Sequence, residues 1–172
     1  MLKLIGSIII ILSGTMIGFA QSNKLIEKKE LLYDLKNTVM LLRGEIRYSN
    51  SVMGQAFSNI SAKIKEPFKT FLLNCSKAIE QYDGQTLSDI WNEEIDNTLS
   101  KSVLDGKHIE KLKELGKNLG FLDLQMQLSY IDKYIEELDN DIKENEVKIK
   151  DNCKLYKTFG IMGGILVVII II

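Results

Sequence analysis

One histidine, one proline and two cysteines are all that this chain of 172 residues has of the types that most often carry catalysis, sharp turns and covalent bracing. The histidine, His108, stands beside a turn in the charged stretch Asp-Gly-Lys-His-Ile-Glu-Lys. That setting predicts a solvated surface side chain, and no general-base partner can be named for it. Metal sites need several His, Cys or carboxylate ligands at close spacing, and the sequence offers no such set. No glycine-rich loop leads into Lys-Ser/Thr, so the chain is not itself a P-loop ATPase. Cys75 and Cys153 are far apart and neither belongs to a C-x-x-C. In a cytoplasmic domain they are expected to be reduced and to serve packing. No catalytic, cofactor-binding or metal-ligating residue is therefore expected. A surplus of one charge sign is missing too. Leaving Lys3 out of the 22 bases, 21 stand against 23 acids. That balance gives no general field for nucleic acid.

What the chain does have is two apolar ends around a polar middle. Leu4 to Ala20 is a run of 17 residues without charge, and Thr158 to Ile172 is another of 15. Every acid, and every base except Lys3, lies between them. A chain that closes in Val-Val-Ile-Ile-Ile-Ile cannot leave those side chains in water, since burying each is worth roughly 1.5–3 kcal/mol. The lengths are marginal for a bilayer. At about 1.5 Å per residue they reach roughly 25 Å and roughly 22 Å, whereas a span needs roughly 20 apolar residues. Met1, Leu2 and a snorkelling Lys3 can complete the first. The second spans if its carboxylate sits at the far headgroups or the bilayer thins. Otherwise it dips in without emerging, or packs on helices of another subunit. The first run has a rival reading as a signal peptide, with Lys3 as n-region, Leu4 to Leu12 as h-region and Gly18-Phe19-Ala20 as cleavage site.

Orientation follows from the flanking bases. Lys24, Lys28, Lys29 and Lys36 follow the first run, and Lys148, Lys150, Lys154 and Lys157 precede the second. Only Lys3 and the chain amine lie on the other side. The expected organisation is a transmembrane segment over 1–21, a cytoplasmic domain over 22–157 and a second transmembrane segment over 158–172.

The polar middle reads as all-α, an antiparallel bundle of about six helices with two long ones continuing into the membrane segments. Leu32, Leu35, Val39, Leu42 and Ile46 step by three and four down one helix face. That helix is expected to run from the membrane to about Tyr48, with Gly44 inside it marking close packing. Leu128, Ile131, Ile135, Leu138 and Ile142 repeat the pattern, and its phase continues through Asn145, Ile149, Asn152 and Tyr156. Two long helices entering one membrane from one side run antiparallel, and their seams can face each other as a stalk. Asn145 and Asn152 would then fix register or admit another chain, a homo-oligomer included; otherwise the helix turns to solvent there. Between the long helices, Ala56 to Ile64 marks a short one. Pro67 opens a second with Phe68, Phe71, Leu72, Cys75, Ile79 and Tyr82 on one face, stopped by Asp83-Gly84. Leu87, Ile90, Trp91 and Ile95 mark a third; Ile109, Leu112, Leu115 and Leu119 mark a fourth, ended by Gly120. Gly116 and Gly120 are spaced for close packing, and Gly120 also reads as a C-cap.

Two polar clusters stand at helix breaks far from both ends. Glu45, Arg47 and Tyr48 close the first long helix before Ser49-Asn50-Ser51. Asp123 and Gln127, one turn apart, open the last. Capping explains Asp123 structurally. The functional alternative is that Glu45, Tyr48, Asp123 and Gln127 line a partner interface at the membrane-distal end.

These blocks carry a resemblance. The opening Met-Leu-Lys-Leu-Ile-Gly, Gly44-Glu45-Ile46-Arg47-Tyr48 with Gln55-Ala56-Phe57 and Ile60, the segment Leu87 to Trp91, Leu119-Gly120-Phe121-Leu122-Asp123 with Gln127, and the tail from Lys157 through Gly160 and Gly164 together resemble the stage III sporulation protein AB family of endospore-forming Firmicutes. Where that family tends to have Pro-Leu after the tyrosine, this chain has Val52-Met53, which questions the local turn geometry. The resemblance implies a single cytoplasmic domain like that of the type II secretion F platform component. It implies a place in the mother-cell membrane facing the forespore, in a transenvelope complex. The implied partners are a cytoplasmic secretion-type ATPase (stage III sporulation protein AA), other membrane subunits of that complex and the lipid bilayer.

Overall fold

Apolar residues that step by three and four must bury one helix face, and the structure shows where each face goes. The computed structural model describes residues 2–49, 52–81, 84–120 and 123–171. Asn50, Ser51, Tyr82, Asp83, Phe121, Leu122 and the two terminal residues lie outside the described residues, as do the side chains of Lys3, Lys148 and Lys150. The described residues form six α-helices and no strand: α1 (Leu2–Tyr48), α2 (Met53–Ser61), α3 (Phe68–Gln81), α4 (Leu87–Thr98), α5 (Gly106–Leu119) and α6 (Leu124–Ile171). The all-α expectation holds, and the two long helices begin and end within a residue or so of the predicted Tyr48 and Asp123. The chain forms two compact units, one of Met1–Glu30 with Lys143–Ile172 and one of Leu31–Ile142.

The second unit is a bundle around one core. Leu32, Leu35, Val39 and Leu42 of α1 are buried in it, together with Ile131, Leu138 and Ile142 of α6. Ile46 and Ile135 are only half-buried at its edge. The middle of the core is aromatic. Trp91 lies between Phe57 and Phe71, with ring centroids 5.6 and 4.8 Å away, and its Nε1 donates to Leu112 O at 2.9 Å. Salt bridges set the register of the long helices in this unit. Lys36 Nζ meets Asp139 Oδ1 at 2.5 Å, and Arg43 forks onto both carboxylate oxygens of Asp132. Seven residues down α1 match seven back along α6, which is an antiparallel pair.

The short helices form where their ends are satisfied. Thr86 caps α4 by accepting from Asp89 N while Asp89 accepts from Thr86 N, a reciprocal capping box. Pro67 sits just before α3, and its carbonyl accepts from Phe71 N at 3.1 Å, after Lys65 O has accepted from Lys69 N at 3.0 Å. Gly84, beyond the end of α3, has φ +75°, which a side chain would resist.

The first unit is a pair of helix segments joined along glycines. A Cβ on Gly14 would stand 2.8 Å from Gly160 O, and one on Gly18 would stand 2.4 Å from Tyr156 O. Backbone therefore lies directly on backbone. Outward, Ile8, Leu12, Met16 and Ile17 of α1 are exposed, as are Phe159, Met162, Leu166 and Ile169 of α6. By length and composition both helices can cross a membrane. Along the α6 seam Ile149 is still buried, whereas Asn152 and Tyr156 are exposed, so at Asn152 the helix turns outward.

Candidate docking surface

The end of α1 builds an open groove. The last helical bond runs from Ser49 N to Glu45 O at 2.9 Å. Beyond the break, α2 starts behind Val52, whose φ of −62° is the value that a proline ring fixes, with an extended ψ of 151°. The departure from Pro-Leu thus leaves a proline-like φ at this position. Met40, Leu41, Gly44, Glu45, Tyr48, Ser49 and Lys63 line the groove. Gly44, expected to mark close packing, has nothing within 4 Å of where a Cβ would be. It lies away from the seam, on the outer face with Met40 and Tyr48, so its missing side chain leaves the groove open. Glu45 is held by Lys63 Nζ at 3.4 Å. Tyr48 is 79% exposed, and the Arg47 guanidinium lies 5.3 Å from its ring centroid. Such a cation–π contact orients the ring with little burial.

Asp123 and Gln127 are used differently. Asp123 Oδ1 accepts from Met126 N at 2.9 Å, and Gln127 N donates to Asp123 O at 2.9 Å. The first is an N-cap bond that satisfies an orphan donor of α6. Gln127 Nε2 reaches back to Leu119 O at 2.6 Å, which satisfies a last-turn carbonyl of α5. The structure therefore joins Glu45 and Tyr48 in one groove, and Asp123 and Gln127 in one helix junction. The register that pairs Arg43 with Asp132 places groove and junction at the same end of the unit.

A second polar cluster escaped the sequence reading. His108, expected in solvent, is only 3% exposed. Its Nε2 is 3.6 Å from Asp141 Oδ2 and its Nδ1 3.9 Å from Asp105 Oδ2. The charged neighbours misled; the helical phase of Leu112, Leu115 and Leu119 extends back to position 108 and puts it on the inner face. Around it Lys107 pairs with Asp141 at 3.1 Å, and Lys111 with Glu137 at 2.8 Å. Burial alone would raise the Asp141 carboxyl. The Lys107 hydrogen bond and the nearby Lys111, Lys107 and His108 charges outweigh it and hold the carboxyl below its ordinary value. Burial raises the Tyr134 hydroxyl and the Cys75 thiol, which keeps that thiol inert. Among the described residues no group of three or more His, Cys, Asp or Glu is placed to hold a metal ion.

Comparison with known proteins agrees with the architecture. The family described as stage III sporulation protein AB matches residues 3–172. Stage III sporulation protein AB of Bacillus subtilis (strain 168) is 23% identical over 171 residues, covering 99% of each chain. A solved structure of a stage III sporulation protein AB superposes with a TM-score of 0.66 at 19% identity, over 72% of this chain and 97% of that one. At that identity the superposition speaks for the fold. The family match runs through both apolar ends and every helix between them, and the chain belongs to the stage III sporulation protein AB family.

Proposed function

We propose that the chain is a non-enzymatic platform subunit of a sporulation-specific, secretion-like complex between mother cell and forespore. In this reading residues 1–21 and 158–172 span the mother-cell membrane facing the forespore. Residues 22–157 lie in the cytoplasm and couple a secretion-type ATPase, stage III sporulation protein AA, to the other membrane subunits. The observation that carries it is the open groove at Glu45 and Tyr48, in a family member whose two long helices are each apolar enough to cross a membrane. Glu45 and Tyr48 are the residues through which the ATPase docks. Asp123 and Gln127 hold the neighbouring junction in shape.

Melting temperature and ATPase affinity, measured on the same purified full-length Glu45→Ala, Tyr48→Ala and Asp123→Ala variants, test this. The first two should fold normally and bind the ATPase more weakly. Asp123→Ala should lose about 0.5–2 kcal/mol of stability, as a lost cap does. Normal ATPase binding by both groove variants overturns the docking role. A cysteine placed near Lys24 should be shielded from an impermeant thiol reagent in intact cells. The contact of Gly18 with the Tyr156 carbonyl supports a retained N-terminal helix over a cleaved signal peptide. A mature chain beginning at Gln21 overturns that.

A further inference from the structure

The first unit carries charge that its own packing leaves unused. Along α1 the uncharged run ends at Lys24, and the first acid is Glu27. Along α6 the last acid is Asp151, followed by Lys154 and Lys157 and then by uncharged residues alone. On the side of the polar middle, three ammonium groups thus stand nearest the apolar stretches with no carboxylate among them. Packing brings them within about two helical turns of one another along the pair. Gly18 lies against the Tyr156 carbonyl, Cys153 Sγ donates to Ser22 O at 3.5 Å, and Lys157 Nζ stands 5.1 Å from the Phe19 ring centroid. In that stretch Phe19, Tyr156 and Phe159 are exposed. Among the described residues Lys24, Lys154 and Lys157 make no salt bridge. Lysines beside exposed aromatics, at the end of an apolar stretch, suit a water–hydrocarbon boundary.

We propose that Lys24, Lys154 and Lys157 form a cationic girdle that takes the phosphodiester headgroups of anionic phospholipids, with Phe19, Tyr156 and Phe159 seated at the acyl boundary. A ligand for this surface must present negative charge and hydrocarbon side by side. An anionic lipid does so; an acidic peptide or a free phosphate presents only the charge. Each lysine near such a surface contributes roughly a fivefold preference. The girdle would draw the chain to anionic regions of a bilayer. The inference rests on the membrane reading above.

The test uses the full-length chain in neutral detergent, offered equal amounts of phosphatidylglycerol and phosphatidylcholine, with retained lipid counted by native mass spectrometry. The parent should retain phosphatidylglycerol at least about tenfold over phosphatidylcholine. The triple variant Lys24→Gln, Lys154→Gln, Lys157→Gln should lose that preference, and the corresponding arginine triple variant should keep it. Trp91 fluorescence checks that each variant is folded. Equal retention by the parent, or an unchanged preference in the glutamine variant, overturns the girdle. Displacement of phosphatidylglycerol by millimolar inorganic phosphate alone also overturns it, in favour of a free-anion site. Co-flotation with vesicles of both lipids separates the two readings: a parent that floats with neither overturns the membrane reading, and the girdle with it.

Discussion

Gly116 lies face-on to the indole of Trp91: a Cβ on the glycine would stand 2.1 Å from Trp91 Cδ1. The ring cannot swing aside freely. Phe57 and Phe71 back it, and its Nε1 is bonded to Leu112 O. Gly116→Ala should therefore overpack the core at a cost of about 1–3 kcal/mol. The gain in helix propensity is at most about 1 kcal/mol. The net expectation is a lower melting temperature, followed by the fluorescence of this single tryptophan. An unchanged or higher melting temperature would show that the aromatic cluster yields.

The two seams of the long helices are not equally buried. Leu35 is enclosed, whereas Ile135 packs at the edge of the core. Leu35→Ala should cost about 2–5 kcal/mol, and Ile135→Ala less than about 2 kcal/mol. Urea titration of both full-length variants in detergent compares them directly. Equal losses would contradict the edge position of Ile135.

Periodicity made the long helices and the core legible, because a buried stripe on a helix leaves the same three-four stepping wherever it packs. Leu32 through Leu42 and Ile131 through Ile142 show it. What escaped was decided by neighbours distant in sequence. His108 looked solvated because its sequence neighbours are charged, yet its helix face is shared with Leu112. Gly44 and Gly116 look alike in sequence. One faces open space and the other an indole, and only the packing of α4 on α5 tells them apart. The glycines of the first unit were similarly silent: Gly14 and Gly18 pack on residues more than a hundred positions away. Of the four residues proposed for the interface, the capping of Asp123 was readable from its place at a helix start. The groove at Glu45 and Tyr48 needed the turn after α2 to supply Lys63.

Acid should weaken the bundle through its carboxylates. The Arg43 hydrogen bonds hold the Asp132 carboxyl below its ordinary value, against a smaller opposing effect of burial. An unfolded aspartate titrates near about 3.9. As pH falls below that value the unfolded chain takes up protons first, so stability falls with pH. The contribution of this pair is fully present above the unfolded value and disappears as pH drops through the lower folded one. Asp132→Asn should melt slightly below the parent at pH 6 and converge with it toward pH 2. The offset should be small, as suits a partly exposed pair. Melting curves that stay parallel across that range would remove the pair from the acid response.

The glycine contacts of the first unit set backbone against backbone. A Cβ on Gly18 would meet the carbonyl of Tyr156, and one on Gly160 would meet that of Gly14 at 2.7 Å. Backbone cannot step aside as a side-chain tip can, so the helix segments must separate. The same pairing brings Cys153 Sγ within 3.5 Å of the carbonyl of Ser22. A cysteine at position 22 should therefore form an intramolecular disulfide with Cys153 under mild oxidation, visible as a shift in gel mobility. Cys75 should not compete, because it is buried and burial keeps its thiol protonated. Adding Gly18→Leu or Gly160→Leu to Ser22→Cys should abolish the bridge. Trp91 fluorescence should be unchanged if the second unit stays folded. Bridge formation that persists with leucine at either glycine would mean that the two segments pair by some other surface than the glycine contact.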